Sequence, residues 1–256
     1  MVKFIDILKA EIYKTKHTWN FTIMLLLPVV ITTIMLSYNV KELMNVEVKV
    51  AEINPWGNYI KVFLQFYGIL YPLLVAIIAF SLSNIEHKNH GFKQLFTFPT
   101  SKFNLYFSKV LILLLWIVSS LILAYSLLII SGNILGYMYP QLGFQNFDMN
   151  IVVLVYFVKC LITLVSIVAI HFFLSIYWDN FIVSVGSASF LVIFGMIVNN
   201  WEYSYIIPYS NHLKAFTAVA KNSKDVFTIE IFWSIGYSIL FFIGGYLIMI
   251  RKSIND

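Results

Sequence analysis

Six long stretches of the chain are apolar on every side, and shorter polar segments separate them. They cover residues 19–38, 62–82, 110–130, 151–176, 181–198 and 229–250. An α-helix rises 1.5 Å per residue, so roughly 20 residues cross about 30 Å of hydrocarbon. Each stretch is near that length or above it. Strands that cross a bilayer are shorter and alternate in polarity. The run 110–116, Val-Leu-Ile-Leu-Leu-Leu-Trp, does not alternate. The pattern predicts an all-α polytopic membrane protein: one transmembrane domain over residues 1–256 with six spans.

Three other segments modify this plan. In 2–16, Phe4, Ile5, Leu8, Ile12 and Thr15 fall within one arc of about 100° on a helical projection, while Lys3, Asp6, Lys9, Lys14 and Lys16 lie mostly outside it. That predicts an N-terminal helix lying on the inner leaflet, its lysines toward anionic head groups. In 84–102, Phe92, Leu95 and Phe96 share one helical face, and Pro99 ends the helix because the residue before proline is pushed out of the helical region. Such a face either docks into a groove on a partner or folds back into the membrane interface, and the residues alone leave both open. The segment 199–228 is semi-apolar, with Trp201, Tyr203, Tyr205 and Phe216, yet too polar to span twice. It predicts short outer helices lying in or dipping into the interface before the last span. Residues 177–180 read as a tight inner turn, and Pro28 and Pro72 as kinks within their spans.

Composition narrows the function classes. The chain is 60% hydrophobic and only 11% charged, with a mean hydropathy of +0.84, against about 25% charge in globular domains. It has too few charges to coat a water-facing surface. The net charge of +5 does not indicate nucleic acid, since the cations are almost all scattered lysines, with Arg251 the single arginine. They read instead as orientation signals. With the N-terminus inside, ten lysines and arginines fall in inner segments and six in outer ones, which predicts both termini in the cytoplasm and residence in the cell membrane. The first span has a long charged leader and no small-x-small cleavage pattern, so it reads as a retained anchor.

Few residues within the spans carry chemistry. Cys160 is the single cysteine, which excludes an internal disulfide and a cysteine-based metal site. Lys159 is the one charge clearly inside a span. It either packs toward the bundle or snorkels outward, or else it lines a transport pathway. Glu86, His87 and His90 suggest a metal site but lack a further ligand nearby. His171 with Ser187 or Ser189 would suit a membrane hydrolase, but Val185-Gly-Ser-Ala-Ser-Phe190 is not a nucleophile elbow. Those small residues, with Gly195, read as close helix packing. An enzyme built on Lys159, His171 or Asp179 and a non-transporting anchoring subunit are the alternative classes.

One stretch carries a family resemblance. Glu86, then Gly91-Phe-Lys-Gln-Leu-Phe96, Phe98-Pro-Thr-Ser-Lys102, and Tyr106 and Lys109 entering the third span resemble the permease subunits of ABC type-2 exporters, in particular the bacitracin- and lantibiotic-protection permeases. The match of architecture extends over the whole chain. Phe96 departs from the pattern, which has a second leucine there. The resemblance implies two permease subunits, identical or paired with a sister subunit, embedded in membrane lipid. It implies a separate cytoplasmic ABC ATPase docked on the 84–102 loop and the N-terminal helix. Glu86, Phe92, Leu95 and Phe96 would couple the two, and an amphipathic peptide or antibiotic would be the cargo. No cofactor would bind directly, and ATP would sit on the partner subunit: the sequence contains no G-x-x-x-x-G-K-[ST] phosphate loop.

Overall fold

The computed structural model describes residues 3–16, 18–45, 54–87, 100–215 and 224–255, and these are helical with no strand. Among the described residues eight α-helices follow in order: α1 (Phe4–Thr15), α2 (Asn20–Asn45), α3 (Pro55–His87), α4 (Lys102–Met138), α5 (Asn150–Tyr177), α6 (Phe181–Val198), α7 (Pro208–Lys214) and α8 (Ile229–Asn255). Six of them, α2 to α6 and α8, are long and apolar enough to cross a membrane. The chain is therefore a multi-pass membrane protein. The helices of the second and third spans run well beyond the expected 62–82 and 110–130. Hydropathy sees only the apolar middle of a span. The helices continue through Lys61 at one end and Lys102 and Lys109 at the other, where the backbone still gains its i→i−4 hydrogen bonds.

α3 and α5 form the middle of the bundle. Within their apolar stretches 61% and 67% of residues are buried, against 22% in α6 and in α8. Aromatic side chains at helical spacing on α3 stack in series, Phe63 on Tyr67 at 5.4 Å and Tyr67 on Tyr71 at 4.5 Å between ring centres. Phe157 of α5 meets Tyr67 edge-on. In lipid no hydrophobic force draws helices together, so close packing and hydrogen bonds between helices decide the association.

Pro28 and Pro72 lie inside unbroken helices. Proline removes the N–H that would bond the carbonyl four residues back. For Pro28 that carbonyl belongs to Met24, and the buried Ser120 of α4 donates its hydroxyl to it at 2.7 Å. A neighbouring helix thus supplies what the sequence of α2 withholds.

One end of the bundle gathers α1, the end of α5, the start of α4 and the end of α8, since Ile7, Leu105, Tyr106, Phe172, Ile176 and Met249 form one apolar cluster there. This end is called the near face, and the opposite one the far face. The 177–180 turn joins α5 to α6, and Asn180 caps α6 by accepting from the Ile182 N–H at 2.8 Å. α1 turns Ile7, Glu11 and Thr15 into the protein, whereas Ile5 and Ile12 are exposed. The apolar arc read from the sequence is therefore not the face packed against the bundle. The packed face runs through Glu11, a charge that hydrophobicity alone discounts.

α7 is more deeply placed than an interfacial helix. Tyr209, Ser210, Asn211 and His212 are buried, and α7 packs against α3, α5, α6 and α8. Gly195 of α6 makes this possible: a Cβ there would stand 2.8 Å from Tyr209 Cβ and 3.1 Å from the Ser210 nitrogen. The expectation of close packing at Gly195 is met, and the short segment before the last span dips into the bundle as a wedge.

Candidate functional site

The near face holds four charges in one closed cluster. Glu11 and Lys14 come from α1, Glu86 from the last turn of α3, and Lys109 from the third turn of α4. Lys109 Nζ lies 2.6 Å from Glu11 Oε2 and 2.8 Å from Glu86 Oε1. Lys14 Nζ lies 2.7 Å from Glu11 Oε1 and 3.0 Å from Glu86 Oε1. Each lysine thus bridges both carboxylates, and Glu86 Oε1 accepts from both ammonium groups.

The sequence dictates this arrangement locally. Glu11 and Lys14 stand three residues apart on one helix and so share a face. A carboxylate in the last turn of a helix runs against the macrodipole, so Glu86 depends on outside cations. Lys109, well inside α4, cannot reach water: only 5% of its side chain is exposed, and 3% and 4% for Glu11 and Glu86. Buried charges are costly unless paired and hydrogen-bonded. Here two positive and two negative charges cancel. Burial works against the charged form of Lys14, but Glu11 and then Glu86 at hydrogen-bond distance outweigh it and raise its pKa. The Lys14 side chain is one-third exposed, so it is the cluster's contact with solvent.

This cluster ties α1, the end of α3 and the start of α4 to one another at the two ends of the 84–102 segment. Glu86 stands where the loop leaves α3 and Lys109 follows where it enters α4, while Glu11 and Lys14 bring α1 against both. Displacement of either loop end would stretch a buried ion pair. Of the residues expected to couple, Glu86 is in the cluster, and Phe92, Leu95 and Phe96 lie outside the described residues. Sequence reading missed Glu11, Lys14 and Lys109 as its partners. The i,i+3 spacing of Glu11 and Lys14 and a lysine inside an apolar helix were the available signals.

The other singled-out residues go elsewhere. Lys159 is buried and borders a small space with Thr163, Asn211, Lys214 and Glu230, so its side chain faces the bundle. Cys160 is buried and unbridged. His171 Nε2 pairs with the Tyr209 hydroxyl of α7. Ser187 and Ser189 donate to the carbonyls of Ser184 and Val185 on their own helix. The hydrolase arrangement is therefore not formed. Among the described residues no three His, Cys, Asp or Glu side chains converge as a metal site.

A bundle of six spans, an amphipathic N-terminal helix and a buried charge cluster joining that helix to the end of α3 and the start of α4 now stand together. The sequence model of the ABC-2 family transporter proteins matches residues 7–195, about three-quarters of the chain. The chain belongs to the ABC-2 transporter family. It is accordingly a membrane subunit of an ABC transporter, a class whose transport is generally driven by an ABC ATPase. The match runs from α1 through most of α6 and stops at Gly195, where α7 begins to pack. No curated protein and no solved structure gives a significant match.

Proposed function

We propose that this protein is the permease subunit of an ATP-driven exporter whose cytoplasmic ATPase docks on the 84–102 loop and α1. The near face then lies in the cytoplasm with both termini, and the membrane is the cell membrane. Two permease subunits enclose the pathway, and the expelled cargo is an amphipathic peptide or antibiotic of the bacitracin or lantibiotic kind. The chain has no phosphate loop of its own, so hydrolysis occurs on the partner. Glu86 and the Phe92/Leu95/Phe96 face transmit the partner's motion, and Lys159 borders the route.

The observation that supports this reading best is the buried cluster of Glu11, Lys14, Glu86 and Lys109, which makes α1 and both ends of the loop one mechanical unit. A loop pulled by an ATPase carries α3, α4 and α1 with it, because separating any pair would leave a charge buried and unpaired.

Co-expression with a candidate partner ABC ATPase tests this. Phe92→Asp plus Phe96→Asp is expected to abolish co-purification while the permease itself stays monodisperse. Glu86→Gln is expected to preserve the complex and to lower cargo-stimulated ATPase activity. Unchanged complex and unchanged stimulation in both variants would overturn the docking proposal. For topology, Lys93→Cys in a Cys160→Ser background should resist membrane-impermeant maleimide in intact cells, and ready labelling would reverse the orientation.

A further inference from the structure

In the half of the bundle that holds α7, a cavity of about 220 Å³ opens between α3, α5, the end of α6 and α7. Drug-sized ligands fill roughly 300–1,000 Å³, so this space suits something smaller, yet it exceeds what one or two waters occupy. Its walls are mostly aliphatic: Leu64 and Ile69 of α3, Met196 of α6 and Leu213 of α7. Gly68 keeps it open, since a Cβ there would already stand 3.3 Å from Leu213 Cδ2.

The polar part of the lining is small and uncharged. Gln65 and Asn199 contribute amides, Tyr156 of α5 a buried phenol, and His212 a ring that is only 1% exposed. Thr163 Oγ1 holds His212 Nδ1 at 3.1 Å, while Nε2 is buried with no hydrogen-bond partner among the described residues. A buried polar atom without a partner costs free energy, and this one belongs to a side chain that borders a cavity. Burial pushes the His212 pKa down to about 4, so the imidazole is neutral near pH 7. No charged side chain lines the space. A carboxylate or ammonium entering it would lose its hydration without a counter-charge, whereas a hydroxyl can donate or accept and fits either imidazole tautomer.

We propose that this cavity binds an uncharged amphiphile, a short aliphatic chain lying along Leu64, Ile69, Met196 and Leu213 with a hydroxyl hydrogen-bonded to His212 Nε2. This goes beyond the coupling proposal and does not depend on it, because the cavity is formed within one chain and lies away from the near-face cluster.

Photolabelling of the full-length purified protein in nanodiscs with 3-azioctanol, read by peptide mass spectrometry, tests the site. Label is expected on Met196, Asn199 and Leu213. An excess of 1-octanol should remove it, while octanoate and octylammonium at the same free concentration should not. His212→Leu keeps an apolar wall but loses the acceptor or donor. It is expected to weaken octanol competition about three- to tenfold, the loss of one neutral hydrogen bond, and His212→Gln should restore part of it. Gly68→Phe fills the space and should abolish the competable label. Because that variant crowds Leu213 and can misfold, Met196→Trp at the rim serves as a second filling variant, each checked by gel filtration. Competition should be flat between pH 8 and pH 6. Label spread evenly over the lipid-facing helices, or label at the site insensitive to 1-octanol and to His212→Leu, would show a merely hydrated cavity and overturn the proposal. Equal competition by octanoate would overturn the uncharged head group.

Discussion

The near-face cluster and the α7 wedge hold their buried polar groups by opposite means. At the near face Glu11, Lys14, Glu86 and Lys109 carry full charges, and each is held by two partners of opposite sign. In the half that holds α7, the buried row Tyr209, Ser210, Asn211 and His212 carries neutral polar groups in a wedge seated on Gly195. The Asn211 amide donates to the Tyr205 carbonyl at 2.9 Å, and His212 engages Thr163. The charged half is intolerant of losing a partner but passes on any displacement, since Coulomb attraction in a low dielectric resists separation over several ångströms. The α7 wedge depends on contact at van der Waals distance and fails when volume changes. The first suits an end that receives force, and the second an end that admits a small molecule.

Removing one charge from the near face should break that contrast most severely. Lys109→Met leaves Glu11 and Glu86 buried with only the part-exposed Lys14 between them, and about 3–5 kcal/mol of stability should be lost. Thermal unfolding followed by fluorescence-detected gel filtration measures it. Adding Glu11→Gln to Lys109→Met should recover part of the loss; purely additive losses would mean the two side chains do not interact as the 2.6 Å distance implies.

Volume should be the corresponding weakness of the α7 wedge. Gly195→Leu forces α7 away from α6, at a cost of about 1–3 kcal/mol for overpacking. The same variant should open the 208–214 segment to proteolysis in nanodiscs while the near face stays protected. Equal protection of α7 would contradict the wedge. Ser120→Ala comes next: it removes the donor to the Met24 carbonyl and should cost about 1–3 kcal/mol for an unsatisfied buried acceptor. Ser120→Cys is the milder comparison.

The smallest effect concerns pH. Lys14 has a raised pKa in the folded state, so its contribution is fully present below the unfolded value of about 10.4 and disappears only as pH rises through the higher folded value. Unfolding temperature should therefore show no Lys14-dependent step between pH 6 and pH 9. A Lys14→Met variant should differ from the parent by a constant amount over that window.

Much of the architecture was legible in the residues. Apolar length fixed six spans near their true centres, and aromatic content pointed to short helices before α8. Helix ends were less legible, because Lys61, Lys102 and Lys109 interrupt hydropathy without interrupting hydrogen bonds. The candidate site was half legible. Glu86 stood out beside the loop motif, but Glu11 drew no reading on the amphipathic helix, and Lys109 counted only as an orientation signal and as the end of the loop pattern. Both meanings depend on tertiary neighbours: nothing in 4–15 tells that residues 86 and 109 will lie against it. α7 lies in the segment 199–228, which reads as lying in or dipping into the interface because it is rich in aromatics yet too polar to span twice. Its burial follows from the room left by Gly195 and from hydrogen-bonding partners contributed by α5 and α8.

The bond between Ser120 and the Met24 carbonyl has a consequence for how the chain can vary. A proline-bearing helix whose missing bond is filled from next door is keyed to its neighbour at one height. Inserting or deleting a single residue in α2 between Met24 and the near face, or in α4 between Lys109 and Ser120, would rotate the key by about 100° and offset it from its slot. Length changes should therefore be tolerated beyond these points and rejected between them, so the two helices carry a fixed ruler from the loop to the middle of the membrane.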